Sequence, residues 1–200
     1  MLRNYLLFFS CVIILSFVGC SFGCEKLYFQ ENEIYWTATY EKGDMAIFQY
    51  KLDSLKRDTI FILDKTHSLP TGKCNPAVST VDPEAYTVDF KYSHNKTMSD
   101  SNYLLQHVKD KQQTTIPVIR IYDVEFNQST LKDTSIVLQG FGKQEGYLID
   151  NLEKFNNIPD LKIKNFVWSK KLGLVQINTE NGEQLNLIKM IRAQQKIDIK

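Results

Sequence analysis

The sequence has almost no net charge, and this absence excludes several classes of partner. Its 200 residues carry a formal net charge of +1 at pH 7, and 23 of them are acidic. Arg3 is the one charged residue before Glu25. A chain with balanced charge has no general attraction to nucleic acid or to anionic lipid. We therefore expect no nucleic-acid partner.

The sequence also lacks the motifs that usually accompany metal, cofactor or nucleophile chemistry. It has three histidines and four cysteines, and no Cys-x-x-Cys pair, so nothing indicates a zinc site. It contains no Gly-x-Ser-x-Gly elbow of the kind that positions a serine nucleophile. We therefore expect no cofactor and no resident metal, and we interpret the chain as a non-enzymatic protein.

No apolar run is long enough to span a membrane comfortably. The longest run, from Tyr5 to Val18, has about 14 residues, whereas a spanning helix needs roughly 20. A basic start containing Arg3 precedes it, and the small-residue segment Gly19-Cys20-Ser21-Phe22-Gly23-Cys24 follows it. This layout is typical of a secretory signal peptide. We predict that residues 1–19 are a signal peptide and that the mature protein is extracytoplasmic.

The cysteines at the end of the apolar run predict a lipid anchor. The tetrapeptide Phe17-Val18-Gly19-Cys20 resembles a bacterial lipobox, with Phe17 where leucine is usual. We predict Cys20 as the lipidated residue, with Cys24 as the second choice and ordinary signal-peptidase cleavage as the remaining alternative. Several acyl chains on one cysteine hold a protein on a membrane far more firmly than a single chain does.

Acylation of Cys20 leaves Cys24 and Cys74 in the mature chain. Extracytoplasmic compartments permit disulfides, and a bridge closing a loop of about 50 residues contributes roughly 4 kcal/mol in the chain-entropy model. We predict a disulfide between these two cysteines. The alternative is an unpaired Cys74 in a surface loop.

The rest of the chain is rich in strand signals. Residues 34–40 alternate aromatic and β-branched side chains, which predicts a first strand that pairs with a second from Met45 to Leu52. Asn181-Gly182 predicts a tight type I′ turn between the last two strands. Since no amphipathic helix separates the strands, we predict an all-β or β-rich fold with few short helices, as an antiparallel sandwich, a curved open sheet or a barrel. Residues 20–33 are interpreted as the lipidated cysteine and tether, and residues 34–200 as a single domain.

Two groups of residues suit catalysis. Asp123 and Glu125 alternate on one face of a predicted strand, and paired carboxylates of this kind serve glycoside hydrolysis. Each histidine has a carboxylate close by in the sequence; the pairs are His67 with Asp64, His94 with Asp89, and His107 with Asp110. A triad also requires a nucleophile. The simpler interpretation is that these side chains belong to solvated or packed faces.

The segment from Phe166 to Val175, which reads FVWSKKLGLV, is followed by Asn181-Gly182-Glu183. It resembles the closing hairpin of small uncharacterised lipoproteins from Bacteroidetes, with Leu172 in place of the usual aromatic residue. The resemblance implies a lipoprotein of the cell envelope, at the outer membrane. It implies no activity and assigns no site residues.

These observations lead to one functional hypothesis with two alternatives. The first is a lipid-anchored envelope protein whose β-rich domain binds a protein, a glycan or an apolar ligand without catalysis. The second is an envelope hydrolase that uses Asp123 and Glu125. The third is a secreted eukaryotic glycoprotein, because Asn95 and Asn127 each begin a glycosylation sequon.

Overall fold

The computed structural model describes residues 24–73, 81–94, 97–98, 102–111, 117–121, 124–126, 131–150, 152–154 and 162–193. The chain divides into two compact units, Met1–Lys26 with Pro70–Asp82, and Leu27–Leu69 with Pro83–Lys200. The elements are β1 (Glu25–Leu27), α1 (Glu31–Ala38), β2 (Met45–Tyr50), β3 (Arg57–Ser68), β4 (Val81–Pro83), β5 (Ala85–His94), β6 (Thr97–Met98), β7 (Asn102–Val108), β8 (Val118–Ile121), β9 (Val124–Phe126), β10 (Leu131–Leu138), β11 (Gly142–Ile149), β12 (Leu152–Lys154), β13 (Ile163–Ser169), β14 (Gly173–Thr179) and β15 (Gln184–Ile191).

In the smaller unit, the Asp82 side chain organises the backbone at residues 71 and 72. One of its carboxylate oxygens accepts N–H hydrogen bonds from Thr71 at 2.6 Å and from Gly72 at 2.7 Å. These bonds, led by the one from Gly72, hold the pKa of Asp82 below its ordinary value.

The larger unit is built on one antiparallel sheet, to which 13 of the described strands belong. The order is β10-β11-β13-β14-β15-β2-β3-β5-β7-β8-β9-β12, with β6 paired to β5. The last strand, β15, pairs with β2 near the start of the chain, so that Leu185 lies opposite Tyr50. The prediction of a β-rich, curved open sheet is confirmed.

The connection from β11 to β12 shows how strongly the sheet curls. β11 lies near one edge of the sheet, whereas β12 pairs with β9 at the other edge. Only residues 150 and 151 separate the two strands, and so short a connection spans at most about 10 Å. The two edges therefore approach each other, and the sheet forms a half-barrel.

Period-two alternation puts the large apolar side chains on one face of the sheet. Five of them occupy opposed positions on five neighbouring strands and are fully or almost fully buried. They are Ile149, Phe166, Ile177, Leu185 and Tyr50. Burying a side chain of this size stabilises the fold by about 1.5–3 kcal/mol. We call this side of the sheet the apolar face.

The strand predicted for residues 34–40 is wrong, because Glu31–Ala38 form the helix α1. Glu33, Trp36, Thr37 and Tyr40 are buried, and their spacing is that of one face of a helix. The helix starts with a reciprocal pair of bonds: the Glu33 N–H donates to the Gln30 carbonyl at 2.9 Å, and the Gln30 N–H donates to a Glu33 carboxylate oxygen at 2.8 Å. Such a start satisfies N–H groups that a helix otherwise leaves unpaired.

Helix α1 joins strands that lie far apart in the sheet order. The Trp36 ring lies 5.6 Å from that of Trp168 on β13, and the Tyr40 hydroxyl accepts the Leu174 N–H on β14 at 2.9 Å. Burial raises the pKa of Tyr40 above its ordinary value. At its other end, Glu33 of α1 forms an ion pair with Lys109, the residue after β7. The helix therefore contacts the sheet at β13, at β14 and after β7. No helix in the described part of the chain is long and apolar enough to cross a membrane.

The buried ion pair of Glu33 and Lys109 gives a stability prediction. Both carboxylate oxygens lie 2.9 Å from the Lys109 ammonium, and the two side chains are 0% and 7% exposed. Since Lys109→Met leaves a buried carboxylate without its cation, we expect the free energy of unfolding to fall by about 3–5 kcal/mol. Chemical denaturation measures the change. Glu33→Gln combined with Lys109→Met should recover most of it, because no lone charge remains.

The exposed pair of Lys132 and Asp150 provides the matched control. Lys132→Met should change the free energy of unfolding by no more than about 1 kcal/mol, as for other surface ion pairs. A similarly small effect for Lys109→Met would show that the ion pair does not hold α1 in place.

The turn at Asn181-Gly182 lies one residue earlier in the chain than predicted. The Gly182 N–H donates to the Thr179 carbonyl at 3.2 Å, and the Thr179 N–H donates to the Glu183 carbonyl at 2.9 Å. Glu180 and Asn181 are therefore the central residues of the turn, and Gly182 follows with φ of +83°. This is the three-residue hairpin with a glycine bulge, and its extra residue continues the twist of the strands.

The conformation of Gly182 gives a second stability prediction. A Cβ atom at this position would meet nothing within 4 Å, so any cost of substitution comes from the backbone. We expect Gly182→Val to lower the free energy of unfolding by about 1–3 kcal/mol, and Gly182→Asn by clearly less, because asparagine tolerates positive φ. Thermal melts measure both. Equal losses for the two variants would contradict this explanation.

Candidate functional site

Two rows of amide side chains cross neighbouring strands on the face opposite the apolar face. Within each row the residues occupy directly opposed positions on consecutive strands. The first row runs over β14, β15 and β2, and the second over β13, β14 and β15. The rows are Gln176, Asn186 and Gln49, and Asn165, Asn178 and Gln184. We call this side of the sheet the amide face.

Hydrogen bonds join the two rows into one network, with Asn178 at its centre. The Asn178 Nδ2 atom donates to Oδ1 of Asn165 at 2.6 Å and to Oε1 of Gln176 at 3.3 Å. Its Oδ1 atom accepts from Nε2 of Gln184 at 3.0 Å. Gln176 in turn donates to Oδ1 of Asn186 at 2.8 Å. These bonds fix the orientation of the five amides that they join.

The end of β10 stands over this face and creates a cavity of about 350 Å³. We call it the amide groove. Its floor includes Gln49, Gln176, Gln184 and Asn186, and its wall is the segment from Ile136 to Gln139. Val137 is 79% exposed on that wall. The amide groove therefore combines a polar floor with an apolar side.

The lining of the amide groove determines what chemistry is available there. Amide groups both donate and accept hydrogen bonds, but they do not ionise near neutral pH. Among the described lining residues, Lys51 is the one with a charged side chain. Acid–base catalysis needs a group that titrates near the working pH. The described lining therefore suits recognition of a polar ligand better than its chemical conversion.

The predicted lipidation and disulfide residues are only partly described. Cys20 and Cys74 lie outside the described residues. Cys24 is disulfide-bonded, and its partner also lies outside them. The boundary predicted between residues 33 and 34 falls inside α1. The lipid site, the pairing of Cys24 with Cys74 and the domain limits stay predictions.

The predicted catalytic carboxylates are also only partly described. Asp123 lies outside the described residues. Glu125 lies on β9, where one of its carboxylate oxygens accepts a hydrogen bond from Nε of Arg120 at 3.1 Å. Glu125 also faces Glu153 in the register of β9 and β12. The described part of this site is thus a cross-strand ion pair, an ordinary stabilising feature of sheets.

His67 has a partner other than the one indicated by sequence proximity. Asp64 pairs with Lys42 at 3.2 Å, and this contact lowers the pKa of Asp64. The Nε2 atom of His67 instead lies 2.7 Å from a carboxylate oxygen of Glu84, and its ring stacks on Tyr86 with centroids 4.0 Å apart. No serine, threonine or cysteine, the usual nucleophiles of a triad, is among the described contacts of this pair.

The other two histidines, His107 and His94, lie on β7 and β5. His107 is fully buried, and its ring lies 4.2 Å from that of Phe29. His94 occupies the last position of β5. Among the described residues, no group of three or more His, Cys, Asp or Glu side chains is arranged to hold a metal ion.

Comparison of the chain with protein-family models, with curated proteins and with solved structures gave no match. The amide groove must therefore be interpreted from its own residues. The signal for it is present in the sequence, because Gln176 and Asn178 alternate with apolar residues, as do Gln184 and Asn186. Only the register of β15 with β2 reveals that Gln49 completes the first row.

Proposed function

We propose that this protein is a lipid-anchored, extracytoplasmic protein of the bacterial cell envelope that binds a ligand in the amide groove without catalysing a reaction. The observation that carries the proposal is the amide groove itself. It offers a preorganised set of donors and acceptors, together with an apolar wall, and Lys51 is the one charged residue in the described part of its lining. Ligand sites are typically concave and carry a few precisely placed polar groups.

The position of the predicted anchor supports a function at the membrane surface. Seven residues lead from Cys20 to Leu27, where the larger unit begins, and they span at most about 25 Å. Just beyond, the Phe29 N–H donates to a Glu84 carboxylate oxygen at 2.9 Å. A lipid on Cys20 would therefore keep the sheet close to the bilayer.

A hydrolase is the weaker proposal. Of its two carboxylates, Glu125 takes part in an ion pair with Arg120, and nothing is described for Asp123. The secreted eukaryotic glycoprotein depends on Asn95 and Asn127, which lie outside the described residues. Neither alternative makes use of the amide groove.

The lipid anchor is tested by metabolic labelling with a palmitate analogue and by membrane fractionation. We expect Cys20→Ser to lose the label and to leave the membrane fraction or accumulate unprocessed. Cys24→Ser is the matched control, because it changes a neighbouring cysteine of the same segment, and it should keep both the label and the membrane association. Full labelling of the Cys20→Ser protein would refute the assignment of the anchor to Cys20.

A further inference from the structure

We propose that the ligand of the amide groove is a neutral oligosaccharide, an inference that rests on the function proposed above. The inference depends on four features of the site. They are the unused hydrogen-bonding capacity of its amides, the absence of acidic groups from its described lining, its length, and the paired backbone of its floor.

The amides of the groove use only part of their capacity within the protein. Asn186 accepts a hydrogen bond from Gln176, but its own NH₂ group has no acceptor among the described residues. The carbonyl oxygens of Gln49 and Gln184 likewise have no donor there. Since an amide has two donor hydrogens and two acceptor lone pairs, the floor presents donors and acceptors side by side. Hydroxyl groups, which also do both, are the complementary chemistry.

The charge of the lining disfavours ionic ligands. Recognition of a phosphate or carboxylate typically uses arginine forks or several cations, whereas Lys51 is the one charged residue among the described residues of the lining. None of these described residues has an acidic side chain that would attract a cationic ligand. When amide groups replace the water around a ligand, a neutral ligand loses less hydration free energy than an ionic one.

The shape of the site suits a chain of sugar rings. The amides of the floor lie on three neighbouring strands, β14, β15 and β2, which places them over about 10 Å at the usual strand separation. Ile136 and Val137 flank the polar floor, and an apolar wall complements the C–H face of a pyranose ring. The ligand would lie across the strands with hydroxyl groups toward the amides.

An extended peptide is the main competing ligand; the wall strand β10 is an edge strand, but the strands of the floor offer such a peptide no free backbone. Peptides that add to sheets pair with the free N–H and C=O groups of an edge strand. The floor strands β14, β15 and β2 are internal, so each already pairs on both sides. What the floor offers is side-chain amides. These recognise a hydroxyl group without requiring a strand register.

The test measures binding of the full-length protein to a printed array of neutral and acidic oligosaccharides, in a detergent without a sugar headgroup. The oligosaccharide that binds most tightly is then titrated by calorimetry.

Gln176→Leu with Asn186→Leu removes donors and acceptors at nearly constant volume, and Val137→Arg obstructs the groove without changing any amide. We expect each change to weaken binding at least about tenfold, equivalent to about 1.4 kcal/mol. Gln106→Leu, an exposed amide on β7, is the matched control and should leave binding unchanged.

The outcomes separate the ligand class from the proposed function. Binding of neutral probes that is lost in both groove variants supports the inference, and a normal melting temperature for Val137→Arg rules out unfolding as the cause. Binding of acidic probes only, or of a peptide library that Val137→Arg abolishes, overturns the neutral glycan but keeps the groove as a binding site. An array without any bound probe, combined with a peptide library that is not retained, would overturn both. Neither result depends on the lipid, which is assayed separately through Cys20.

Discussion

The strands β2, β14 and β15 bury one face completely, and this burial fixes the place of every amide on the opposite face. Ile177, Leu185 and Tyr50 are opposed to one another and lie in the core. A slip of one residue in any pairing would exchange the two faces of that strand, putting amides in the core. The apolar row therefore determines the geometry of the amide groove.

Helix α1 completes this arrangement because an open sheet leaves its apolar face in need of a cover. Trp36 packs against Trp168 and Tyr147, while Glu33 forms the buried ion pair with Lys109. One helix thus contacts strands from both halves of the sheet. Burying the two charges of an ion pair costs free energy, but removing one of them costs more, because the other is then buried without its partner. The ion pair therefore favours one position of α1 over others.

The strand content and the antiparallel pairing were predictable from the sequence, because alternation and turn residues act locally. The sequence did not predict the helix α1, because its residues fit both the two-residue period of a strand and the 3.6-residue period of a helix. Trp36 and Tyr40 are four residues apart, so they share a face in either structure. The choice between them is made by contacts with Lys109, Trp168 and Leu174, which are distant in sequence. Tertiary contacts of this kind routinely override local preference.

The candidate site was less predictable than the fold. The amides of β14 and β15 are visible as a pattern, but the pattern is also that of an ordinary solvated strand face. The site exists because β15 pairs with β2, which brings Gln49 beside Asn186, and because the end of β10 lines the groove together with them. Both contacts join strands that are distant in sequence, and both depend on the curled sheet. Residues chosen for their chemistry alone, such as His67 and Glu125, proved to have structural partners.

The most direct test of the amide groove as the binding site is hydrogen–deuterium exchange with a mixture of neutral malto-, cello- and chito-hexasaccharides. A bound ligand slows exchange where it restrains the backbone or excludes water. We expect added protection confined to residues 49–54, 136–139 and 176–188, with no change around His67 and Glu84. Protection centred on His67 and Glu84, or none in residues 176–188 on saturation, would contradict the assignment of binding to the amide groove.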